Sequence, residues 1–179
     1  TAEGSGFTNI VAVGDRVLIS LQEENRGLIQ EVLPRRSGLA RADSFDVHLK
    51  QILAANVDQL LIVASWRDPQ FWPRLVDEYL IGAARNNLKA ILCVNKVDLA
   101  ESVAEVETAV AIYQTLGYPL YLTSANTGYG LDTLRTALQG QTTVLAGLSG
   151  VGKSTLLSAI DANLHLKTNT ISEKRHQGK

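Results

Sequence analysis

Cysteine, histidine and methionine are scarce in this chain of 179 residues, which has one cysteine, three histidines and no methionine. A single cysteine, Cys93, excludes a disulfide within these residues and also a cysteine-rich metal site. His48, His165 and His176 lie far apart in the sequence, and no metal-ligand spacing joins them. We therefore expect Cys93 to be a small buried hydrophobic residue of a strand.

Long hydrophobic runs are absent as well. No apolar stretch approaches the roughly 20 residues that a membrane helix needs. The N-terminal residues do not have the charged, apolar and small-residue pattern of a secretory signal. Because 45% of the residues are hydrophobic and 20% are charged, the composition predicts a globular protein with one medium and one smaller domain. We expect a cytoplasmic monomer without membrane contact.

The chain has little excess charge of either sign, with a formal net charge of -1 and a pI near 6.3. This balance gives no overall attraction to nucleic acid. Locally, Arg35, Arg36 and Arg41 cluster in a loop-like stretch at residues 33–41, and only Asp43 lies near enough in sequence to offset them. Such a cluster can bind phosphates, so these arginines are the candidate RNA-binding residues. On charge alone, a solvated loop is the favoured interpretation.

A glycine-rich segment at residues 147–154 has the pattern of a phosphate-binding loop. It lies between a predicted strand and a predicted helix, which is the context that this motif requires. Its glycines let backbone N–H groups turn toward phosphate oxygens at the start of the helix. Lys153 would reach the β- and γ-phosphates, the Ser154 hydroxyl would ligate Mg²⁺, and Thr155 would contact the α-phosphate. The predicted phosphate-binding residues are Gly147, Leu148, Ser149, Gly150, Val151, Gly152, Lys153, Ser154 and Thr155.

Asn95-Lys96-Val97-Asp98 follows an apolar run, so its polar residues come at the carboxyl edge of a sheet, where open α/β folds bind ligands. The Asp98 carboxylate only accepts hydrogen bonds, so it can pair with the N1–H and N2–H₂ donors that guanine has and adenine lacks. Asn95 would hold another edge of the base and link this segment to the phosphate loop. The stem of Lys96 would lie along the purine face. In isolation, the same residues are also ordinary turn formers.

A third segment, Thr123-Ser124-Ala125-Asn126, follows the apolar strand at residues 120–122. A backbone N–H at Ser124 or Ala125 can donate to guanine O6. In ordinary GTPases the phosphate loop comes first and the guanine-reading segments last, whereas here the order is reversed. The three segments together predict a GTP or GDP site in a circularly permuted GTPase. The candidate nucleotide-binding residues outside the phosphate loop are Asn95, Lys96, Val97, Asp98, Ser124 and Ala125.

The spacing of the apolar segments predicts an α/β fold. Before residue 50, short segments at 9–13, 16–21 and 27–32 are typical of strands in a small β module. After it, strands and helices alternate, which predicts a parallel sheet with helices on both faces. The predicted strands are 57–65, 90–94, 120–123 and 142–146, and the predicted helices are 73–85, 100–116, 131–138 and 153–160. Trp66, Phe71 and Trp72 flank the first of these strands, and core or edge packing is favoured for them over stacking on bases.

The permuted motif order, the upstream β module, the linker at 33–41 and the phrase Ala55-Asn56-Val57-Asp58-Gln59 resemble the RsgA (YjeQ) family. The resemblance runs across nearly the whole chain. It implies an OB-type β-barrel at residues 1–50 and a circularly permuted P-loop GTPase domain at residues 51–179. It also implies GTP hydrolysis stimulated by the small ribosomal subunit, a role late in the maturation of that subunit, and rRNA binding through the OB module.

The two ends of the chain depart from the family pattern. Family members continue into a switch threonine, an Asp-x-x-Gly strand and a zinc-binding module, whereas residues 171–179 resemble only the start of the first switch. The first 50 residues supply fewer strands than a closed five-stranded barrel needs. We therefore expect both domains to be partial and the residues to belong to a longer protein. Zn²⁺ is implied by the resemblance alone, and the residue that positions the attacking water is not assigned.

Two other functions remain open. A P-loop kinase or ATPase would keep Lys153 and Ser154 but has no need of Asp98 in its setting, so ATP would displace bound GDP as well as GTP does. A non-catalytic RNA-binding adaptor would hold GTP only as a structural ligand, and turnover measured with small subunits separates it from a GTPase.

Overall fold

The computed structural model describes residues 10–22, 26–42 and 50–161 of the chain. The strands are β1 (Val17–Gln22), β2 (Arg26–Val32), β3 (Gly38–Ala42), β4 (Lys50–Ala55), β5 (Gln59–Ser65), β6 (Lys89–Asn95), β7 (Leu120–Leu122) and β8 (Thr143–Ala146). The helices are α1 (Pro73–Arg85), α2 (Val103–Thr115), α3 (Leu131–Leu138) and α4 (Lys153–Ile160), with one turn of 3₁₀ helix at Val97–Leu99. Within these ranges, no helix is long and apolar enough to cross a membrane.

The chain divides into two compact units. The first unit comprises Thr1–Leu60, Ile81–Lys89 and Gln141–Val144, and the second unit comprises Leu61–Leu80, Ala90–Gly140 and Leu145–Lys179. The boundary near residue 50 that the sequence suggests stays a prediction.

The first unit contains two small antiparallel sheets, β1 with β2 and β3 with β4. The predicted strands at 16–21 and 27–32 correspond to β1 and β2. The predicted strand at 9–13 is wrong for residues 10–13, because residues 12–15 form a turn, in which Asp15 N–H donates to the Ala12 carbonyl at 3.2 Å. Residue 9 lies outside the described residues.

The sequence suggests a loop throughout the linker at 33–41, but part of this linker is a strand. Its last residues form β3, so Arg41 lies on a strand that pairs with β4 opposite Gln51. The local sequence predicts a loop because it contains the turn-forming residues Pro34, Ser37 and Gly38. The strand forms because it pairs with residues further along the chain. Neither β3 nor β4 is among the strands that the sequence predicts.

The larger sheet has four strands in the order β7-β6-β5-β8, and the predicted parallel α/β architecture is confirmed. Every residue of β5 is buried, as are all but the first of β6, which is typical of parallel strands covered on both faces. The core of the second unit includes Leu61, Ile91, Leu134 and Leu156, each at most 1% exposed. Cys93 belongs to this core, which confirms its prediction as a buried hydrophobic residue, and burial raises the pKa of its thiol to about 12.

Local capping and packing explain two details of the second unit. Helix α2 begins at Val103 rather than at residue 100, because the Ser102 side chain caps it by accepting from the Glu105 N–H at 3.2 Å. Trp66 is buried and its ring lies 6.2 Å from that of Phe71, as expected for core packing, whereas Trp72 is half exposed.

Candidate nucleotide-binding site

All three sequence motifs begin where a strand of the four-stranded sheet ends. The phosphate loop follows β8, the Asn95–Asp98 segment begins at the last residue of β6, and residues 123–126 follow β7. Because the carboxyl ends of parallel strands lie at one edge of a sheet, the three segments share that edge. Their arrangement is set by the side chain of Asn95.

Asn95 is 1% exposed, and its amide joins the three motifs. Its Nδ2 donates to the Val151 carbonyl of the phosphate loop at 3.0 Å. Its Oδ1 accepts from the Ala125 N–H at 3.1 Å and from the Thr123 hydroxyl at 3.3 Å. The predicted link from Asn95 to the phosphate loop is therefore confirmed, and the same residue also fixes the third segment.

Gly152 allows the phosphate loop to approach this amide closely. Its φ of 92° lies in the left-handed region, and a Cβ at this position would be only 2.6 Å from Asn95 Nδ2. The same Cβ would lie 3.8 Å from the Cε of Lys96. A side chain at residue 152 would therefore push apart the Asn95–Asp98 segment and the phosphate loop.

The phosphate loop has the backbone geometry that its glycines predict. Gly147 has a φ of 148°, and a Cβ there would lie 2.1 Å from the Val63 carbonyl oxygen, so the loop turns directly against β5. The loop ends at Gly152, which caps α4 without a side-chain hydrogen bond. The first N–H groups of α4 therefore have no partner within the helix, and they point toward the loop.

The Lys153 ammonium lies inside this loop. Its Nζ donates to the carbonyl oxygens of Gly147 at 2.8 Å and of Leu148 at 2.6 Å. Partial burial lowers the pKa of Lys153 below its ordinary value. A cation held among backbone groups at the start of a helix suits a polyanion, which would stabilise the charged form. Ser154, the candidate Mg²⁺ ligand, is the next residue and is partly buried, and Thr155 is exposed.

A cleft of about 260 Å³ lies beside the loop. Lys96 is one of the residues that line this cleft, and its backbone has a left-handed φ of 62°. The Lys96 Nζ donates to the carbonyl of Asp68. This bond extends the Lys96 stem across the cleft wall. Asp68 is not predictable as part of the site from the sequence, because it lies 28 residues before Lys96. The residues that line the cleft are Asp68, Asn95, Lys96, Asp98, Leu99, Ala125, Asn126, Gly152 and Thr155.

Asp98 projects from the 3₁₀ turn at Val97–Leu99 and is exposed. The turn is anchored by Val97, whose side chain is 4% exposed and whose N–H donates to the Thr123 carbonyl at 3.1 Å. Among the described residues, no protein group donates to the Asp98 carboxylate. Its acceptor oxygens therefore face the cleft edge without competition from protein donors.

The predicted donors to guanine O6 already have acceptors within the protein, and their contact with the base stays a prediction. The Ser124 N–H donates to the Tyr129 carbonyl at 3.0 Å, and the Ala125 N–H donates to Asn95 Oδ1. Both groups are thus used within the protein, as expected where a tight turn closes on itself. Asn126 is one of the residues that line the same cleft, and its N–H has no acceptor within the described part of the chain. Asn126 is not among the residues that the sequence predicts, because the availability of its N–H depends on the folded turn.

Two of the three candidate RNA-binding arginines already pair with acids, and RNA binding by the cluster stays a prediction. Arg35 pairs with Asp15 through bonds of 2.7 and 2.8 Å, and the Asp15 side chain is 1% exposed. Arg36 pairs with Asp58, and this contact together with the Thr142 N–H lowers the pKa of Asp58 to about 2. The acids that offset the cluster are therefore distant in sequence, and Asp43 lies outside the described residues. The side chain of Arg41 is outside them too.

Over the residues that the structure describes, no group of three histidine, cysteine or acidic side chains could hold a metal ion. The predicted start of the first switch, residues 171–179, lies outside those residues.

Comparisons with known proteins agree with the motif order. A model of the RsgA GTPase family matches residues 32–179. The chain is 42% identical over 171 residues to the small ribosomal subunit biogenesis GTPase RsgA of Alkaliphilus metalliredigens, covering 93% of this chain and 54% of that protein. It is 36% identical over 178 residues to the protein of that name from Bacteroides fragilis strain YCH46, covering 98% and 57%. The chain thus spans about half the length of the curated relatives it matches.

Two solved structures have a similar fold. The crystal structure of YjeQ from Thermotoga maritima matches with a TM-score of 0.71 and 37% identity, over 89% of this chain and 54% of that one. YloQ, described as a circularly permuted GTPase, matches with a TM-score of 0.64 and 31% identity, over 88% and 53%.

Proposed function

The chain belongs to the RsgA GTPase family, and from this premise we propose that it binds and hydrolyses GTP during maturation of the small ribosomal subunit. We further propose that it acts in the cytoplasm and contacts rRNA through its N-terminal β module. The observation that carries the nucleotide part is the Asn95 amide, which joins the phosphate loop at Val151 to the third motif at Ala125. An isolated phosphate-binding loop would not need this connection.

The proposed pose follows from the contacts around the cleft. The polyphosphate would lie over the start of α4, where Lys153 and unpartnered N–H groups converge. The base would lie against the Lys96 stem, with Asp98 accepting from N1–H and N2–H₂. The Asn126 N–H would donate to O6, and the second hydrogen of Asn95 Nδ2 would face N7. Mg²⁺ would be ligated by the Ser154 hydroxyl and by phosphate oxygens.

Guanine specificity distinguishes this function from that of a P-loop ATPase or kinase. Adenine presents an amino group where guanine presents O6, and it lacks the N1–H and N2–H₂ donors. With adenine in the site, the Asp98 carboxylate would have no hydrogen-bond donor. A site that binds its ligand through hydrogen bonds loses much affinity when one of its polar groups is left unpaired, so it should strongly prefer guanine. We therefore expect ATP to compete poorly with GDP, and equal competition by ATP would favour the kinase or ATPase.

The test of this assignment is Asp98→Asn, which replaces an acceptor with a group that can donate. It should weaken GTP binding by at least about a hundredfold, from the loss of two hydrogen bonds to a charged acceptor. Binding of xanthosine triphosphate, which has a carbonyl at C2, should improve. Glu107→Gln is the matched control, because Glu107 is an exposed acid on α2 outside the cleft. Unchanged GTP affinity in Asp98→Asn would remove the basis for the assignment.

Hydrolysis is tested separately, by single-turnover release of phosphate with and without purified small ribosomal subunits. Stimulation by the subunits supports the GTPase. Tight GTP binding without turnover in either condition would favour the non-catalytic adaptor.

A further inference from the structure

The turn that links β5 to α1 forms part of the wall of the nucleotide cleft, although it belongs to none of the three sequence motifs. Asp68 of this turn is one of the residues that line the cleft, and its backbone carbonyl accepts from Lys96 Nζ. Both residues lie in the second unit, and Lys96 directly follows β6. The position of the Asp68 carbonyl therefore decides where the Lys96 ammonium lies.

Both ends of the turn are held in place. The Trp66 N–H donates to the Asn95 carbonyl at 2.9 Å, and the Phe71 N–H donates to the Trp66 carbonyl at 3.1 Å. The Trp66 ring is buried, with its centroid 6.2 Å from that of Phe71, and the Phe71 ring lies edge-on to Tyr113 at 6.5 Å. Because residues 66 and 71 are fixed close together, residues 67–70 between them close as a tight turn.

Ser65 holds the middle of this turn. It is the last residue of β5 and is 1% exposed, and its hydroxyl donates to the Pro69 carbonyl at 2.6 Å. Pro69 follows Asp68, so this hydrogen bond fixes the peptide unit next to the carbonyl that Lys96 uses. Asp68 has a left-handed φ of 52°, which aspartate adopts more readily than most residues. The direction of the Asp68 carbonyl thus depends on a buried hydroxyl and on one left-handed residue.

The bond to Asp68 orders the Lys96 side chain before a ligand arrives. A lysine side chain loses much rotamer freedom when it is fixed, and this loss weakens binding if it occurs only when the ligand binds. An ammonium has three N–H donors, and the Asp68 carbonyl takes one of them. Within the described part of the chain the other two have no acceptor, so they can donate to oxygen atoms of a bound nucleotide.

We propose that Ser65 is a positioning residue for the base of the bound nucleotide. Ser65 holds the turn, the turn presents the Asp68 carbonyl to Lys96, and the anchored Lys96 stem forms the surface on which the purine lies. Ser65 is not among the residues that line the cleft, so it acts through Lys96. This inference rests on the proposed function, which supplies the guanine nucleotide, and it adds a residue from outside the three motifs.

The first test is Ser65→Ala, with GDP affinity measured by isothermal titration. It should weaken GDP binding by about tenfold, because the Lys96 stem must then be ordered when the ligand binds. The matched control is Ser102→Ala, which also removes a hydroxyl group from a hydrogen bond. Ser102 accepts from the Glu105 N–H at 3.2 Å at the start of α2, outside the cleft. The control should leave GDP affinity unchanged.

A double-mutant cycle with Lys96→Met separates positioning from a general structural effect. Methionine keeps an unbranched apolar side chain but has no ammonium, so it cannot donate to the Asp68 carbonyl. Ser65→Ala should therefore weaken GDP binding by about tenfold in the wild-type background and by less than about twofold in the Lys96→Met background. A substitution that only destabilised the domain would weaken binding equally in both backgrounds.

Asp68→Val moves the same carbonyl from an exposed position, and it decides the matter if Ser65→Ala does not fold. Valine is β-branched and strongly disfavours left-handed backbone, so the turn and its carbonyl should shift. The matched control is Asn87→Val, because Asn87 is also exposed and has a φ of 53°, but lies outside the cleft. Asp68→Val should weaken GDP binding by about tenfold, whereas Asn87→Val should lower stability alone.

Three results would overturn the proposal. These are equal weakening by Ser65→Ala in the two backgrounds, wild-type affinity in Asp68→Val, and equal losses of affinity in Asp68→Val and Asn87→Val. In each case the proposed function stands if wild type binds GDP tightly and Asp98→Asn weakens binding of GTP. If wild type does not bind guanine nucleotides at all, the proposed function fails and the role of Ser65 fails with it.

Discussion

Gly152→Ala tests whether the site depends on the close contact between the phosphate loop and the Asn95 side chain. The substitution adds a single methyl group at a position with a φ of 92°. That methyl would lie 2.6 Å from Asn95 Nδ2, well inside van der Waals contact. The Asn95 side chain is buried and holds three hydrogen bonds, so it cannot yield without breaking at least one.

Two costs add at this position. Placing a Cβ in left-handed backbone costs roughly 1–2 kcal/mol. Displacing Asn95 breaks its 3.0 Å bond to Val151 and costs about 1 kcal/mol more. We expect the free energy of unfolding to fall by about 2–3 kcal/mol. We also expect GDP to bind at least about tenfold more weakly, since 1.4 kcal/mol corresponds to a factor of ten and the displaced amide serves both motifs.

Gly140→Ala is the matched control. Gly140 also has a left-handed φ, of 71°, but a Cβ there would meet no atom within 4 Å. It should therefore show the backbone cost alone, about 1–2 kcal/mol, and normal GDP affinity. Unfolding is followed by urea denaturation and affinity by titration with a fluorescent GDP analogue. If the two variants lose equal stability and both keep wild-type affinity, the clash with Asn95 does not govern the site.

Two further predictions concern ionisable groups. Lys153→Ala should abolish detectable GTP binding while changing the stability of the nucleotide-free protein little, because the burial that lowers the pKa of Lys153 offsets the gain from its two hydrogen bonds to the Gly147 and Leu148 carbonyls. Thermal unfolding without nucleotide checks this, and a large drop in Tm would contradict it. The hydrogen bond from Arg36 lowers the pKa of Asp58 from its ordinary value of 3.8 to about 2, so the contribution of this carboxylate to stability is present above pH 3.8 and is lost as the pH falls toward 2. Asp58→Asn should therefore flatten the decline of stability between pH 4 and pH 2, and an unchanged acid limb would show that Arg36 does not stabilise this carboxylate.

The sequence alone was sufficient wherever a feature depends on neighbouring residues. The phosphate loop needs glycines at set intervals and a lysine at the start of a helix, so Gly147, Gly152 and Lys153 are recognisable without coordinates. The strands β5 and β6 are continuous apolar runs, and β8 is a short one before the loop. Their order along the chain is enough to predict a permuted parallel sheet.

Tertiary structure alone decided which polar groups meet. Arg35 pairs with Asp15 and Arg36 with Asp58, across 20 and 22 residues of sequence, so a cluster that is dense in sequence is partly neutralised in space. Strand β3 exists because β4 pairs with it, which a linker containing proline and glycine does not reveal. The Ala125 N–H is used by Asn95, 30 residues away. Hydrogen bonds and ion pairs between distant segments leave no local pattern in the sequence, because each partner alone is an ordinary polar residue. Only the folded chain brings the partners to within about 3 Å of one another.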